Sequence, residues 1–500
     1  MGRKPRAQAL TSHRQIVRST AVIALASIST VLIGLVRTKA IALLVGPVGL
    51  GLISVYLNLV NAASAIAGLG LNASAVREIA GAEAAADQAR LAATRRALLL
   101  TTGAAATVTA GAMIHLHGWI GTWLPNGFNQ PEATLWLALA VFLTVLSVNC
   151  VILLNGYRRI GDMAKTQVGG ALAGTIAGIG ALAIWRLDGT LAYVVAAPAA
   201  ALVVGLAYAA RLPRPTAKIS DVRLILNRGL SLVAHGTPFM LSVFALSASV
   251  LLVRAITADN LGGEALGHFA ATWIISSTYV GYVLQAMGAD YFPRLSAAAD
   301  DGTQTARLVN EQLETAVILA TPILLLTLAT APWLLHLAYS GSFREAADLL
   351  RWQILGDLFK ILAWPLSMLL LAKRRSVTYF LIEATAAATF AGFVYLSIDR
   401  LGLLSAGIGY AGMYLLYWLA QLACARIPAN GHMLRSLGLS AAAIGVTFLI
   451  SIRSDFLGLL IGLAGTAATS LLALKRLNDV GALPSAVQRT LPWLGKGTAS

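Results

Sequence analysis

Charged side chains are scarce in this sequence. Asp, Glu, Lys and Arg make up 12% of its 500 residues, whereas 58% are hydrophobic and the mean hydropathy is +0.76. A soluble globular domain carries about 25% charged residues, with which it covers its surface. A chain with half that share cannot present a mainly aqueous surface, so the composition excludes a soluble protein and predicts one that lies in a membrane.

Cysteine and the motifs of several functional classes are also nearly absent. The two cysteines, Cys150 and Cys424, lie in apolar blocks without metal-ligand spacing, which argues against both a disulfide framework and a metal site. The sequence contains no Gly-Lys-Ser phosphate loop, so we expect no ATP hydrolysis. These gaps predict a protein without a metal or cofactor.

Apolar blocks long enough to cross a membrane recur along the whole chain. A hydrocarbon core needs about 20 apolar residues per helix. Fourteen segments qualify, at 17–44, 50–72, 97–116, 133–155, 165–185, 190–210, 229–255, 265–290, 315–338, 353–372, 377–397, 403–425, 433–452 and 455–474. We therefore predict an all-α integral membrane protein with about 14 transmembrane helices, the first of them an uncleaved span.

Basic residues lie mainly on one side of these predicted spans. The 37 Lys and Arg outnumber the 21 Asp and Glu, which gives a formal net charge of +16. On a soluble chain this excess would suggest a nucleic-acid partner. If the N-terminus is cytoplasmic, 28 of the 37 basic residues face the cytoplasm and eight face the other side, as the positive-inside rule requires. We predict no nucleic-acid partner, an even number of spans and two cytoplasmic termini.

The connections on the outer side are at most about fifteen residues long. A membrane glycosyltransferase would need a larger outer loop that carries carboxylates, Arg or His. We therefore predict that the protein is not an enzyme and has no catalytic residue.

Motifs of the first half recur in the second half at a nearly constant distance. The pairs are Arg37 and Arg254, Gly51 and Gly267, and Arg77 and Arg294, which lie 217, 216 and 217 residues apart. Six spans fit in each copy, and because six is even, both copies enter the membrane in the same direction, as in transporters built from parallel repeats. The predicted parts are a cytoplasmic N-terminus (1–16), an N-lobe (17–211), a cytoplasmic linker (212–228), a C-lobe (229–426), two appended spans (427–476) and a cytoplasmic tail (477–500).

Ionisable side chains inside the predicted spans are candidates for function, because each costs at least about 2.5 kcal/mol on insertion scales. They are Arg37, Lys39, Arg254, Asp290, Asp357, Lys360 and Glu383. The basic ones, Arg37, Lys39, Arg254 and Lys360, are candidates for a cationic substrate site. Arg37 and Lys39 are about 200° apart around a helix, so at most one of them faces a central cavity squarely. Asp290 lies at the cytoplasmic end of its span, which favours an interfacial position.

The acidic candidates allow two interpretations each. Asp357 and Lys360 are three residues apart and share a helix face, which fits a structural pair as well as separate functional roles. Glu383 stands alone in its span, and Gln167 occupies the matching position of the first copy. It is a candidate proton site or a residue near the inner surface.

Four stretches carry the pattern of a known family: residues 39–51 (KAIALLVGPVGLG), 350–360 (LRWQILGDLFK), 370–373 (LLAK) and 379–383 (YFLIE). With them the chain, from about residue 15 to 430, resembles the Wzx-type flippases of the multidrug/oligosaccharidyl-lipid/polysaccharide exporter superfamily. The resemblance is strongest to the branch that moves O-antigen or enterobacterial common antigen units. The block at 350–360 is the more specific one, since that at 39–51 also occurs in wider exporters.

The resemblance implies a flippase that carries an undecaprenyl-pyrophosphate-linked oligosaccharide from the cytoplasmic to the periplasmic leaflet of a bacterial inner membrane, for lipopolysaccharide or related polysaccharide biosynthesis. It implies that the two six-helix lobes form a V-shaped, cationic central cavity. It also implies coupling to a proton or ion gradient, for which Glu383 and Asp357 are the candidates. The implied partners are the lipid-linked glycan, membrane lipids, and a polysaccharide polymerase with its chain-length regulator. The alternatives are a drug or cation exporter of the same superfamily and, more distantly, a membrane glycosyltransferase.

Overall fold

The computed structural model is built from α-helices throughout its described part. It describes residues 4–123, 132–213, 215–216, 222–428 and 430–479. The helices are α1 (Lys4–Ala67), α2 (Leu71–Ala84), α3 (Gln88–His115), α4 (His117–Trp123), α5 (Ala133–Gly156), α6 (Ile160–Trp185), α7 (Thr190–Ala209), α8 (Val222–Ala297), α9 (Gly302–Ala338), α10 (Ala347–Ala372), α11 (Ser376–Leu401), α12 (Leu404–Ala425), α13 (Gly431–Arg453) and α14 (Asp455–Asp479). Two 3₁₀ turns, Arg186–Gly189 and Gly341–Ala346, precede α7 and α10.

The helices have the length and composition of membrane spans. Eleven continuous helical stretches among the described residues are long and apolar enough to cross a membrane. Three of them are divided in two, by Gly46, by the turn Arg186–Gly189 and by Gly262, so fourteen apolar segments result. Large apolar side chains point outward, with Leu396 80% exposed, as a lipid-facing surface requires. The predicted all-helical membrane fold is confirmed.

Breaks in the backbone repeat at the offset that the sequence predicts. Gly46 has φ +63 in α1 and Gly262 has φ +85 in α8, a separation of 216 residues. Glycine adopts this conformation without the steric penalty of a β-carbon, and Pro47 removes a helical donor directly after the first break. The same fold element therefore interrupts both copies, which supports the predicted duplication.

Two further pairs of positive-φ residues share the offset. Arg158 and Arg374 have φ values of 55 and 57, and Arg186 and Gly402 have 53 and 55; both pairs are 216 residues apart. Arg186 holds this conformation without the freedom of glycine. Its Nη1 donates to the carbonyl of Leu44 at 3.2 Å, two residues before the break in α1, so the side chain ties the turn to that break.

The chain forms two compact units. Unit 1 comprises Met1–Ala270 with Ala338–Ser340, and unit 2 comprises Ala271–Leu337 with Gly341–Ser500. The division falls inside α8, at residue 270. The predicted lobe limits and the V-shaped cavity stay predictions. Residues 214 and 217–221 of the predicted linker and 480–500 of the predicted tail lie outside the described residues.

Small residues and one buried arginine hold the helices of each unit together. In unit 1, a β-carbon on Gly51 would lie 2.9 Å from the backbone nitrogen of Gly267, so glycine permits the close crossing of α1 and α8 there. In unit 2, the Arg351 side chain is 3% exposed and donates to Asp348 at 2.7 Å and to Asp455 at 2.6 Å. These ion pairs fasten α14 to α10.

Candidate functional site

A buried carboxylate marks the interior of unit 2. Asp357 of α10 is fully buried. It accepts hydrogen bonds from Ser276 Oγ and Tyr410 Oη, each at 2.8 Å, and from Tyr279 Oη. Three hydroxyl donors thus satisfy a carboxylate that would otherwise be strongly destabilised by burial. The sequence-based reading of Asp357 as a simple partner of Lys360 accounts for none of these bonds.

The approach of Tyr410 depends on a glycine. A β-carbon on Gly356 would lie 2.7 Å from Cε1 of the Tyr410 ring. Because Gly356 has no side chain, α12 packs closely on α10 and the Tyr410 hydroxyl reaches Asp357, the next residue along α10. In the Gly-Asp dipeptide of the 350–360 motif, the glycine therefore allows the close packing by which the aspartate is hydrogen-bonded.

Lys360 lies one turn further along α10, against α12. Its Nζ is 5.2 Å from the centroid of the Tyr414 ring, within the range of a cation–π interaction. Both Asp357 and Glu383 lie close enough to exert an electrostatic effect on it. Lys360 is thus within electrostatic range of both carboxylates that are candidates for ion coupling.

Glu383 of α11 completes the group. Tyr379, one turn earlier, is hydrogen-bonded to it, and Tyr417 lies within its electrostatic range. Its Oε2 is buried. The structure therefore brings Asp357, Lys360 and Glu383 together in one unit, and we refer to these three as the acid–lysine cluster. With all three ionised the cluster carries one net negative charge, which one proton or one small cation would neutralise.

A row of tyrosines on α12 faces this cluster. Tyr410, Tyr414 and Tyr417 follow at intervals of four and three residues, so they share one helix face. Ring centroids are 4.8 Å apart for the first pair and 6.1 Å for the second. Sequence reasoning missed these residues, although their helical spacing was a visible signal.

The other cationic candidates belong to unit 1. Arg254 of α8 is 5% exposed, and its Nη1 donates to the carbonyl of Ser54 in α1. Arg37 is half-buried and lies close to Tyr193 of α7. Lys39 is half-buried as well. In this conformation the accessible part of Arg254 is therefore small.

The chain matches a known protein family. Residues 16–299 match the family described as polysaccharide biosynthesis protein. Among characterised proteins, the chain is 25% identical over 393 residues to the lipid III flippase of Escherichia coli (strain K12), an alignment that covers 77% of this chain and 92% of that protein.

Solved structures show the same fold at low identity. The lipid II flippase MurJ in an inward closed conformation aligns with a TM-score of 0.69 at 11% identity, over 93% of this chain and 99% of that one. An inward-facing multidrug resistance MATE family transporter aligns with a TM-score of 0.63 at 16% identity, over 79% of this chain and 94% of that one. These likenesses show that the chain has the fold of these transporters.

Proposed function

Because the chain belongs to the polysaccharide biosynthesis protein family, we propose that it is a flippase for a lipid-linked glycan. The proposed substrate is an undecaprenyl-pyrophosphate-linked oligosaccharide, the repeat unit of O-antigen or of a related surface polysaccharide. The protein moves it from the cytoplasmic to the periplasmic leaflet of the inner membrane by alternating access. The likeness to a lipid III flippase and to a lipid II flippase supports this substrate class.

The acid–lysine cluster is the observation that carries the transport mechanism. Ionisable groups inside membrane helices are costly and mark ion pathways and proton relays. Asp357 is held by three hydroxyls, whereas Glu383 lies beside Lys360 and tyrosines. We assign Glu383 as the group that binds the coupling proton, because three hydroxyl donors stabilise the charged form of Asp357.

Arg37 and Arg254 are the proposed contacts of the pyrophosphate, with Lys39 and Lys360 as further sources of positive charge. A guanidinium presents paired donors to phosphate oxygens and keeps its charge at all relevant pH values. Arg254 bonds to the Ser54 carbonyl in this conformation. Exchange of that carbonyl for a phosphate oxygen gives the arginine a different partner in each state of the cycle.

Transport in proteoliposomes tests the function. A fluorescent polyprenyl-pyrophosphate oligosaccharide is incorporated, a proton gradient is imposed, and headgroup translocation is followed with a membrane-impermeant quencher. We expect gradient-dependent transport by the parental protein and gradient-insensitive residual transport by Glu383→Gln. The matched control is Glu311→Gln, whose carboxylate pairs with Arg307 at an exposed position of α9. Full gradient dependence in Glu383→Gln would rule out the proton role, and absence of parental transport would rule out the flippase.

The proposed topology has both termini in the cytoplasm and Gly341 on the periplasmic side. A cysteine introduced at Gly341 should react with an impermeant maleimide added outside intact cells; labelling from the cytoplasm alone would reverse the orientation. A polysaccharide polymerase and its chain-length regulator are the proposed partners, and cross-linking from this chain in cells checks them.

A drug or cation exporter is the second candidate, because the fold also matches a multidrug transporter. A deletion strain separates the two. Loss of lipid-linked glycan from the outer leaflet supports the flippase, whereas drug sensitivity with normal surface glycan supports the exporter. Product formation from a sugar donor in liposomes would instead indicate a glycosyltransferase.

A further inference from the structure

Unit 1 contains a cavity that the mechanism above does not use. Its volume is about 440 Å³, within the roughly 300–1,000 Å³ of ligand sites. Its polar lining includes Asn61, Ser64, Asn72, Thr144, Asn149 and Ser247. Every described residue that lines it is uncharged, in contrast to the acid–lysine cluster of unit 2.

Several of these polar groups have unused hydrogen-bonding capacity. Ser64 Oγ is buried and has no partner among the described residues. Asn149 is 2% exposed, and its Nδ2 donates to Thr102 Oγ1 at 2.7 Å. A carboxamide offers two donors and an acceptor with two lone pairs, so this bond leaves most of that capacity free. Buried polar groups normally find partners, which indicates that a polar ligand or water occupies the cavity.

The apolar part of the lining is continuous along one helix. Val145, Val148 and Ile152 of α5 all face the cavity, at helical intervals of three and four residues. They provide an apolar wall beside the amides and hydroxyls. A ligand that fits has many hydroxyl groups, no charge, and a face of C–H groups.

We propose that this cavity binds an uncharged sugar ring of the transported glycan, through Asn61, Ser64 and Asn149. This inference rests on the proposed flippase function. Sugar hydroxyls both donate and accept, as amide and hydroxyl linings require. A phosphate would need a cationic partner, and an organic cation would need a carboxylate or an aromatic face. The described residues of the lining include no cation, no carboxylate and no aromatic ring. A lipid chain would leave the buried amide and hydroxyl groups unsatisfied.

Protection from chemical labelling tests the site without relying on transport. Ser247 lines the cavity, and Ser247→Cys introduces a reactive probe of similar size. The full-length protein in proteoliposomes is treated with a small maleimide at increasing maltotriose, and the labelled peptide is quantified by mass spectrometry so that Cys150 and Cys424 remain in place. We expect maltotriose to slow labelling. Trigalacturonate should protect at least about tenfold less well, because its carboxylates would be buried without a cation.

Two further substitutions in the Ser247→Cys protein identify the contacts. Ser64→Ala should raise the maltotriose concentration for half-protection roughly three- to tenfold. It should not impair folding, because the hydroxyl has no partner among the residues that the structure describes. Thr144→Val should have a similar effect, whereas Thr107→Val should have none. Both hydroxyls donate to the carbonyl four residues earlier, but Thr144 lines the cavity and Thr107 faces outward.

The proposal is overturned if maltotriose does not protect at its solubility limit, if trigalacturonate protects equally well, or if Ser64→Ala leaves protection unchanged. Water alone in the cavity would give the first of these results. Translocation of the lipid-linked oligosaccharide tests the proposed flippase function separately. Saccharide protection without translocation would therefore retain the site and reject the flippase.

Discussion

Replacement of Arg254 by methionine separates a functional from a structural role of this buried cation. Its guanidinium has one hydrogen bond, to the Ser54 carbonyl, and its Nε has no partner among the described residues. Desolvation acts on it without a compensating carboxylate in the described part of the chain. A buried arginine with so few partners lowers the stability of the fold. We therefore expect Arg254 to serve function and not stability.

The expected change in stability on Arg254→Met follows from two opposing energetic contributions. An arginine in a membrane helix costs up to about 2.5–3.5 kcal/mol, the value for the helix centre, and a hydrogen bond to a charged group returns about 1.5–3 kcal/mol. The Ser54 carbonyl lies within a helical part of α1, so it retains its backbone donor when the arginine is removed. Methionine fills irregular space with an unbranched chain. We expect Arg254→Met to stabilise the protein by about 1 kcal/mol, a rise in Tm on the order of 2 °C.

Arg351→Met is the matched control, because it makes the same substitution at another buried arginine. Arg351 pairs with Asp348 and Asp455. Its removal should destabilise the protein by about 2 kcal/mol, less than the 3–5 kcal/mol of a fully buried pair, because both carboxylates are partly exposed. Thermal unfolding in detergent measures both variants, and the proteoliposome assay measures transport.

The expected pattern is that Arg254→Met melts higher than the parental protein and loses transport, while Arg351→Met melts lower. A clear drop in Tm for Arg254→Met would refute the reasoning about burial. Transport at the parental rate would refute the role of Arg254 in contacting pyrophosphate.

Three further predictions concern packing and backbone. Tyr410→Phe removes one of the three donors to the buried Asp357 carboxylate and should destabilise the protein by about 1–2 kcal/mol. Tyr395→Phe, at an exposed position of α11, should leave the stability unchanged. Thermal unfolding compares the two variants, and equal stability would contradict the hydrogen bond from Tyr410. Arg186→Gly should be more stable than Arg186→Ala by about 1 kcal/mol or more, because glycine relieves the positive φ; the reverse order would argue against strain. Gly267→Ala places a β-carbon against the backbone of α1 and should destabilise the protein by at least about 2 kcal/mol. Gly34→Ala, whose β-carbon meets nothing within 4 Å, should not destabilise it. The folded yields of the two variants, measured by size-exclusion chromatography, test this difference.

Helices that end where apolar sequence ends could be predicted closely. The predicted span 190–210 corresponds to α7 (Thr190–Ala209), and 133–155 corresponds to α5 (Ala133–Gly156). The starts of α3 and α9 were predicted nine and thirteen residues late, because their first turns are polar and hydropathy does not detect helix beyond the hydrocarbon region. The start of α3 has a local sequence signal, because Asp87 is the N-cap and its side chain accepts a hydrogen bond from the backbone N–H of Arg90.

The candidate site could be predicted only in part, because the sequence shows which residues are charged but not which residues contact them. Asp357, Lys360 and Glu383 could be singled out because a charge inside a span is expensive wherever it points. Their hydroxyl partners could not, since Ser276 and Tyr410 are 81 and 53 residues from Asp357 and are ordinary residues for a membrane helix. What brings them together is helix packing, which depends on the absence of a side chain at Gly356.

The repeat shows how the two units came to differ. At the common offset of 216, Asp357 corresponds to Val141, Lys360 to Thr144 and Glu383 to Gln167. All three charged positions of the acid–lysine cluster are thus neutral in unit 1, and Thr144 lines the uncharged cavity there. A duplicated helix pattern therefore carries charged side chains in one copy and neutral side chains at the matching positions of the other. Thr144→Lys should accordingly abolish saccharide protection at Ser247→Cys, because it places an unpaired cation in a neutral cavity. Retained protection in that variant would show that position 144 does not face the ligand.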